Sequence, residues 1–200
     1  MSALWLCADL DHPRAEELPA RVTAALGAGP ATVWLRSAHG TPACDLVHVA
    51  HQLRAITRAS GAALYIGDRV DVALVCRADG VHLPERSFAP AQVAGLSLRR
   101  SRAVHDPSGV AAHAPDCDAV IASPFGPVPG KGAPLGVEGL RTLVRAAGGT
   151  PLIALGGVRD GADARACRLA GARGVAVRRA LMDADDPAAA CARLWEALEG

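Results

Sequence analysis

The sequence predicts a single-domain (β/α)8 TIM barrel spanning residues 1–200, and three observations carry that reading. Short apolar runs alternate with longer helical patterns about eight times along the chain. The runs are continuously apolar rather than alternating, as expected of parallel strands covered on both faces. The phosphate loop of an open doubly wound sheet, G-x-G-x-x-G after the first strand, is absent, because the first run leads into ADLDHP. A chain of 200 residues accommodates a compact version of the barrel.

The expected strands are 3–8, 31–36, 63–67, 80–83, 95–99, 119–123, 151–155 and 174–178. Helical patterns fall between and after them, at about 14–27, 42–60, 70–77, 88–93, 106–114, 137–147, 160–170 and 186–198. Thr41-Pro42 and Asp186-Pro187 place proline in a first turn behind a cap-like residue. Gly27, Gly61, Gly148 and Gly171 mark helix ends. The fourth helix is the weakest, since Pro84 and Pro90 crowd a short stretch. No linker, low-complexity segment or second domain interrupts the pattern.

Composition narrows the function classes. Half of the residues are hydrophobic but only 3% are aromatic, so Ala, Val and Leu must fill the core. A net charge of +1, without a basic run interleaved with aromatics, argues against nucleic acid as a partner. No apolar stretch reaches the roughly 18–20 residues that span a bilayer. Six scattered cysteines without a C-x-x-C pair, and a start that lacks a signal-peptide pattern, point to free thiols and a cytoplasmic location. A homo-oligomer is left open. Lys131 is the one lysine among twenty-one basic residues, which marks it as a position where a compact ammonium is wanted.

In a barrel of this type, chemistry sits where strands end and βα loops begin. Gly156-Gly157 then falls between the seventh strand and its helix, where backbone N–H groups can approach an anion. Arg178 and Arg179 end the neighbouring eighth strand. Together they form the expected phosphate cup, and the expected partner is a phosphorylated small molecule.

Specific motifs follow the same order. LYIGDRVDVALVCRADGVHLPE, ASPFGPVPGKGAPLGVEGL, VWLRSA and LIALGGV resemble segments of thiamine phosphate synthases over essentially the whole chain. That family joins a hydroxymethylpyrimidine pyrophosphate to a thiazole phosphate in thiamine biosynthesis, releasing pyrophosphate. The pyrimidine departs as a stabilised carbocation while Mg²⁺ and cationic side chains neutralise the leaving group. The resemblance implies that Arg36 and Lys131 hold the pyrophosphate, Asp68 ligates Mg²⁺ and Ser97 lines the pyrimidine pocket. It also implies that Gly157 helps hold the thiazole phosphate.

The chain departs from the family pattern at several of these places. Trp34 stands for a glutamine, Ala38 for a lysine and Gly67 for an asparagine. Ser87 stands where the second metal carboxylate belongs. Val128 and Gly130 replace two threonines, and Arg179 replaces a serine. Glu85, Arg99, Arg100 and Arg179 are the candidates to make up the lost charge and hydrogen bonds. A sister branch, the thiazole tautomerases, carries a histidine after the sixth strand, where this chain has Pro124. A tautomerase or isomerase, and a non-catalytic barrel that binds phosphorylated ligands, are the alternatives to the synthase.

Other polar residues read as structural. His82 is expected as a packed core histidine. His48 and His51, three apart on a helix, lack a third ligand. Asp9 and Asp11, in the first βα loop just before Pro13, could face the mouth but are more simply expected to cap the helix that follows. Trp34, which could stack on a flat ligand, is more simply a filler of the barrel interior.

Overall fold

The computed structural model describes residues 4–38 and 40–200; residue 3, the first of the expected strand 3–8, lies outside them. Eight strands, β1 (Leu4–Asp9), β2 (Thr32–Arg36), β3 (Ala63–Gly67), β4 (Gly80–Leu83), β5 (Arg99–Val104), β6 (Ala119–Ala122), β7 (Leu152–Leu155) and β8 (Gly174–Val177), close into a parallel barrel in chain order. The crossovers carry α1 (Leu18–Gly27), α2 (Ala43–Ser60), α3 (Val70–Val75), α4 (Pro107–His113), α5 (Gly136–Ala146) and α6 (Gly161–Leu169). A short α7 (Arg179–Met182) and α8 (Pro187–Glu199) follow the last strand. The expected fourth helix is reduced to one 3₁₀ turn, Pro90–Val93, as its prolines dictate.

Local chemistry explains the helix ends. Asp106, Asp160 and Asp186 each accept a hydrogen bond from the backbone N–H three residues on, capping α4, α6 and α8. Gly61 ends α2 in the left-handed conformation, with φ of 70°. Pro42 is itself the residue that starts α2, with no side-chain cap from Thr41.

Strand periodicity sorts side chains into two cores. Leu4, Leu6, Val33, Leu35, Leu64 and Ile66 face outward and pack under the helices. Trp5, Cys7, Trp34, Tyr65, Ile121, Ile153 and Ala176 fill the barrel interior. Three large rings fill most of that space, so a neighbour must be small. A Cβ on Gly80 would lie 2.4 Å from the Tyr65 ring and 2.7 Å from the Arg99 carbonyl oxygen, and β4 therefore starts with glycine.

One expected strand is misplaced. Residues 95–98 of the apolar run form a turn, and β5 is the polar segment RRSRAV that starts at Arg99. It tolerates its arginines because Arg102, only 5% exposed, donates to the carbonyls of Glu85, Ser87 and Phe88, while Arg99 stays at the exposed start. The shift reverses the position of three candidate residues. Ser97 precedes β5, and Arg99 and Arg100 open it, so all three lie at the N-terminal end of the barrel. Ser97 cannot line a pocket at the mouth, and Arg99 and Arg100 cannot make up charge there.

Candidate active site at the barrel mouth

Inward parity continues upward from the interior layer. Two residues above Cys7, Trp34 and Ala176 stand Asp9, Arg36 and Arg178, at the C-terminal ends of β1, β2 and β8. Asp9 is 1% exposed. Its Oδ2 accepts from Arg36 at 2.7 Å and from Arg178 at 3.2 Å. Both arginines remain about half exposed, so each keeps guanidinium donors turned to the mouth. Asp9 is therefore the anchor of two cations and not a helix cap. Asp11 is exposed, and its N–H donates to Asp9 Oδ1 at 3.4 Å.

The floor below is closed. Trp34 is 6% exposed and its ring lies 4.2 Å from that of His82, centroid to centroid, which makes it a filler beneath the mouth. His82 bonds Ser101 Oγ at 3.0 Å. Burial, with the Arg102 charge nearby, pulls its imidazole down to about 3, so it is neutral at working pH. Burial and the Asp9 charge push the Cys7 thiol up to about 12, leaving it an unreactive core group.

The remaining candidates occupy the loops of the same face. Gly156 and Gly157 follow β7 with φ of 86° and 76°. Among the described residues no hydrogen bond uses the N–H of Gly157 or Val158. The Gly156 carbonyl accepts from Gly126 N–H at 2.8 Å, which ties this turn to the loop after β6. That loop begins with a cis Ser123-Pro124 bond and carries Lys131, exposed and without a side-chain partner among the described residues. Arg179 is exposed at the start of α7.

His105, just past β5, was not singled out from sequence. Its Nδ1 donates to the Ser123 carbonyl at 2.6 Å, which fixes the orientation of the ring. Nε2 lies 3.7 Å from the Glu85 carboxylate, so Glu85 is placed beside a histidine. Its only signal in the sequence was a titratable residue at a strand end, hidden by the displaced reading of β5.

The fit to Mg²⁺ follows from the donor set. Asp68, after β3, is half-buried with φ of 62°, and its N–H donates to the His82 carbonyl at 2.8 Å. Ser87 has a buried hydroxyl with no partner. Among the described residues no three His, Cys, Asp or Glu side chains form a metal-binding group. The Asp68 carboxylate alone fits Mg²⁺ only as part of a complex in which phosphate oxygens complete the shell.

Comparison with known proteins gives the family. The sequence model described as thiamine monophosphate synthase matches residues 5–181. A putative thiamine-phosphate synthase of Geobacter sulfurreducens is 36% identical, covering 92% of this chain and 89% of that protein. The thiamine-phosphate synthase of Moorella thermoacetica is 34% identical, covering 88% and 85%. Among solved structures, thiamine phosphate pyrophosphorylase from Pyrococcus furiosus superposes with a TM-score of 0.83 at 26% identity, over 98% of this chain and 95% of that one. These relatives and the fold support thiamine-phosphate synthase function in thiamine biosynthesis, and none favours the tautomerase or the non-catalytic barrel. The chain belongs to the thiamine monophosphate synthase family.

Proposed function

We propose that the mouth of this barrel joins a hydroxymethylpyrimidine pyrophosphate to a thiazole phosphate, releasing pyrophosphate. The observation that carries the reading is the shared Asp9 anchor, which holds two cations in fixed register across the mouth. Arg36 and Lys131 take the pyrophosphate leaving group. Arg178, Arg179 and the free amides beside Gly157 take the thiazole phosphate dianion. Breaking the C–O bond leaves the pyrimidine methylene as a carbocation, and the thiazole ring nitrogen supplies the electron pair for the new C–N bond. The protein's task is charge stabilisation and alignment.

Bound with the pyrophosphate, Mg²⁺ would neutralise part of the developing negative charge, and Asp68 is the carboxylate that would hold it. The guanidinium and ammonium groups carry a larger share of that neutralisation here than a second carboxylate-bound metal contact would leave them. Six free thiols and the absence of any membrane-crossing helix among the described residues support our placing of the reaction in the cytoplasm. Lys131→Ala tests the leaving-group assignment. One hydrogen bond to a charged group is worth roughly 1.5–3 kcal/mol, so kcat should fall about 10- to 150-fold. Unchanged turnover in a coupled pyrophosphate-release assay would remove Lys131 from the mechanism.

A further inference from the structure

The motif GLSLRR, displaced from the mouth, lines a second feature of the molecule. A cleft of about 680 Å³ opens at the N-terminal end of the barrel, between α2, the end of α3 and the start of β5. Its volume is in the range of small-molecule sites. Arg54, Arg58, Arg77, Arg99 and Arg100 line it, opposed by Asp79 and Asp118 alone. The surplus there is three positive charges, whereas the whole chain carries a net +1. Positive potential is thus focused on one concave surface at the end of the barrel remote from the mouth.

The two carboxylates are already engaged. Asp79 accepts from both terminal nitrogens of Arg54, at 2.6 and 3.3 Å, and from the Leu64 N–H. Asp118 accepts from the Arg100 N–H at 2.8 Å. Among the described residues Arg58, Arg77, Arg99 and Arg100 form no ion pair. The Nε groups of Arg54 and Arg100 are buried without an acceptor. Like charges gathered on one concave surface raise the energy of the empty cleft, and an incoming anion would relieve that repulsion. One wall is apolar: Leu74 is 46% exposed and Leu96 37% exposed.

We infer that this cleft is a second ligand site, which takes an organic diphosphate of nucleoside-diphosphate size. Arg58, Arg77 and Arg99 would receive the phosphate oxygens, and Leu74 and Leu96 the organic part. Guanidinium forks match phosphate oxygens in pairs, and the apolar wall separates this ligand from bare phosphate. The site is separate from the synthase mouth, so it stands or falls independently of the proposed reaction.

Isothermal titration of ADP into the Arg36→Ala variant at low salt tests it, because that background weakens anion binding at the mouth. Binding of one ADP per chain is expected. It should weaken at least tenfold on adding Arg58→Ala and Arg77→Ala, two exposed positions where truncation leaves the core untouched. Inorganic phosphate should bind more weakly than ADP. The inference is overturned if ADP gives no heat at millimolar concentration, if the two added substitutions leave its affinity unchanged, or if inorganic phosphate binds as tightly.

Discussion

Asp9→Ala is expected to lower kcat/KM by roughly 100- to 1,000-fold while the barrel stays folded. The carboxylate it removes is almost fully buried and bonds two guanidinium groups at once. Those groups come from β2 and β8, which flank β1 on either side, so Asp9 sets the spacing between the leaving-group cation and the phosphate-cup cation. Misplacement of about 1 Å can cost around two orders of magnitude in rate, and here two groups are released together. The cost in stability is small by comparison, about 1–2 kcal/mol, because the freed arginines are half exposed and reach water. Asp9→Asn separates the causes. It keeps the volume and one acceptor but loses the charge, so it should fall between wild type and Asp9→Ala in kcat/KM, with its melting temperature close to wild type. Equal activity in all three proteins would show that Arg36 and Arg178 need no anchor.

A larger effect on stability is expected at the β7 turn. Gly157→Ala should cost about 2–4 kcal/mol, which lowers Tm by roughly 5–15 °C in a chain of this size. Its φ of 76° is one that alanine rarely adopts. A Cβ there would also lie 2.5 Å from the backbone Cα and carbonyl carbon of Gly126. Backbone cannot swing aside as a flexible side chain does, so the turn and the loop after β6 must separate. That loop carries Lys131, and the turn supplies the free amides, so thiazole phosphate affinity should fall with Tm. Thermal unfolding with and without thiazole phosphate reads both. A Tm within about 2 °C of wild type would mean that the close packing of Gly126 on Gly157 is not a constraint.

Much of this architecture was legible before any coordinates. Continuous apolar runs located seven strands within a residue or two, because parallel strands buried on both faces have no polar side to hide them. The eighth failed for a definite reason. Strand β5 is rich in arginine, and nothing in the string RRSRAV announces that the terminal nitrogens of Arg102 donate to three loop carbonyls. A run that looked more apolar, GLSLR, took its place and carried Ser97 to the wrong end of the barrel. Asp9 was misread in a different way. DLDHP has the composition of a helix cap, yet Asp9, Arg36 and Arg178 share one inward parity on adjacent strands. Once eight strands are in register, that alternation alone brings the three together. The cationic surplus of the opposite cleft was not legible, since its arginines gather from α2, the segment after α3 and β5, far apart in sequence.

The most direct test mixes the purified chain with hydroxymethylpyrimidine pyrophosphate, thiazole phosphate and Mg²⁺ and follows both products. Thiamine phosphate and pyrophosphate should appear together in equal amounts, and removing Mg²⁺ with EDTA should slow both. If neither product forms, although thiazole phosphate still binds, the mouth is a phosphate receptor without the coupling chemistry.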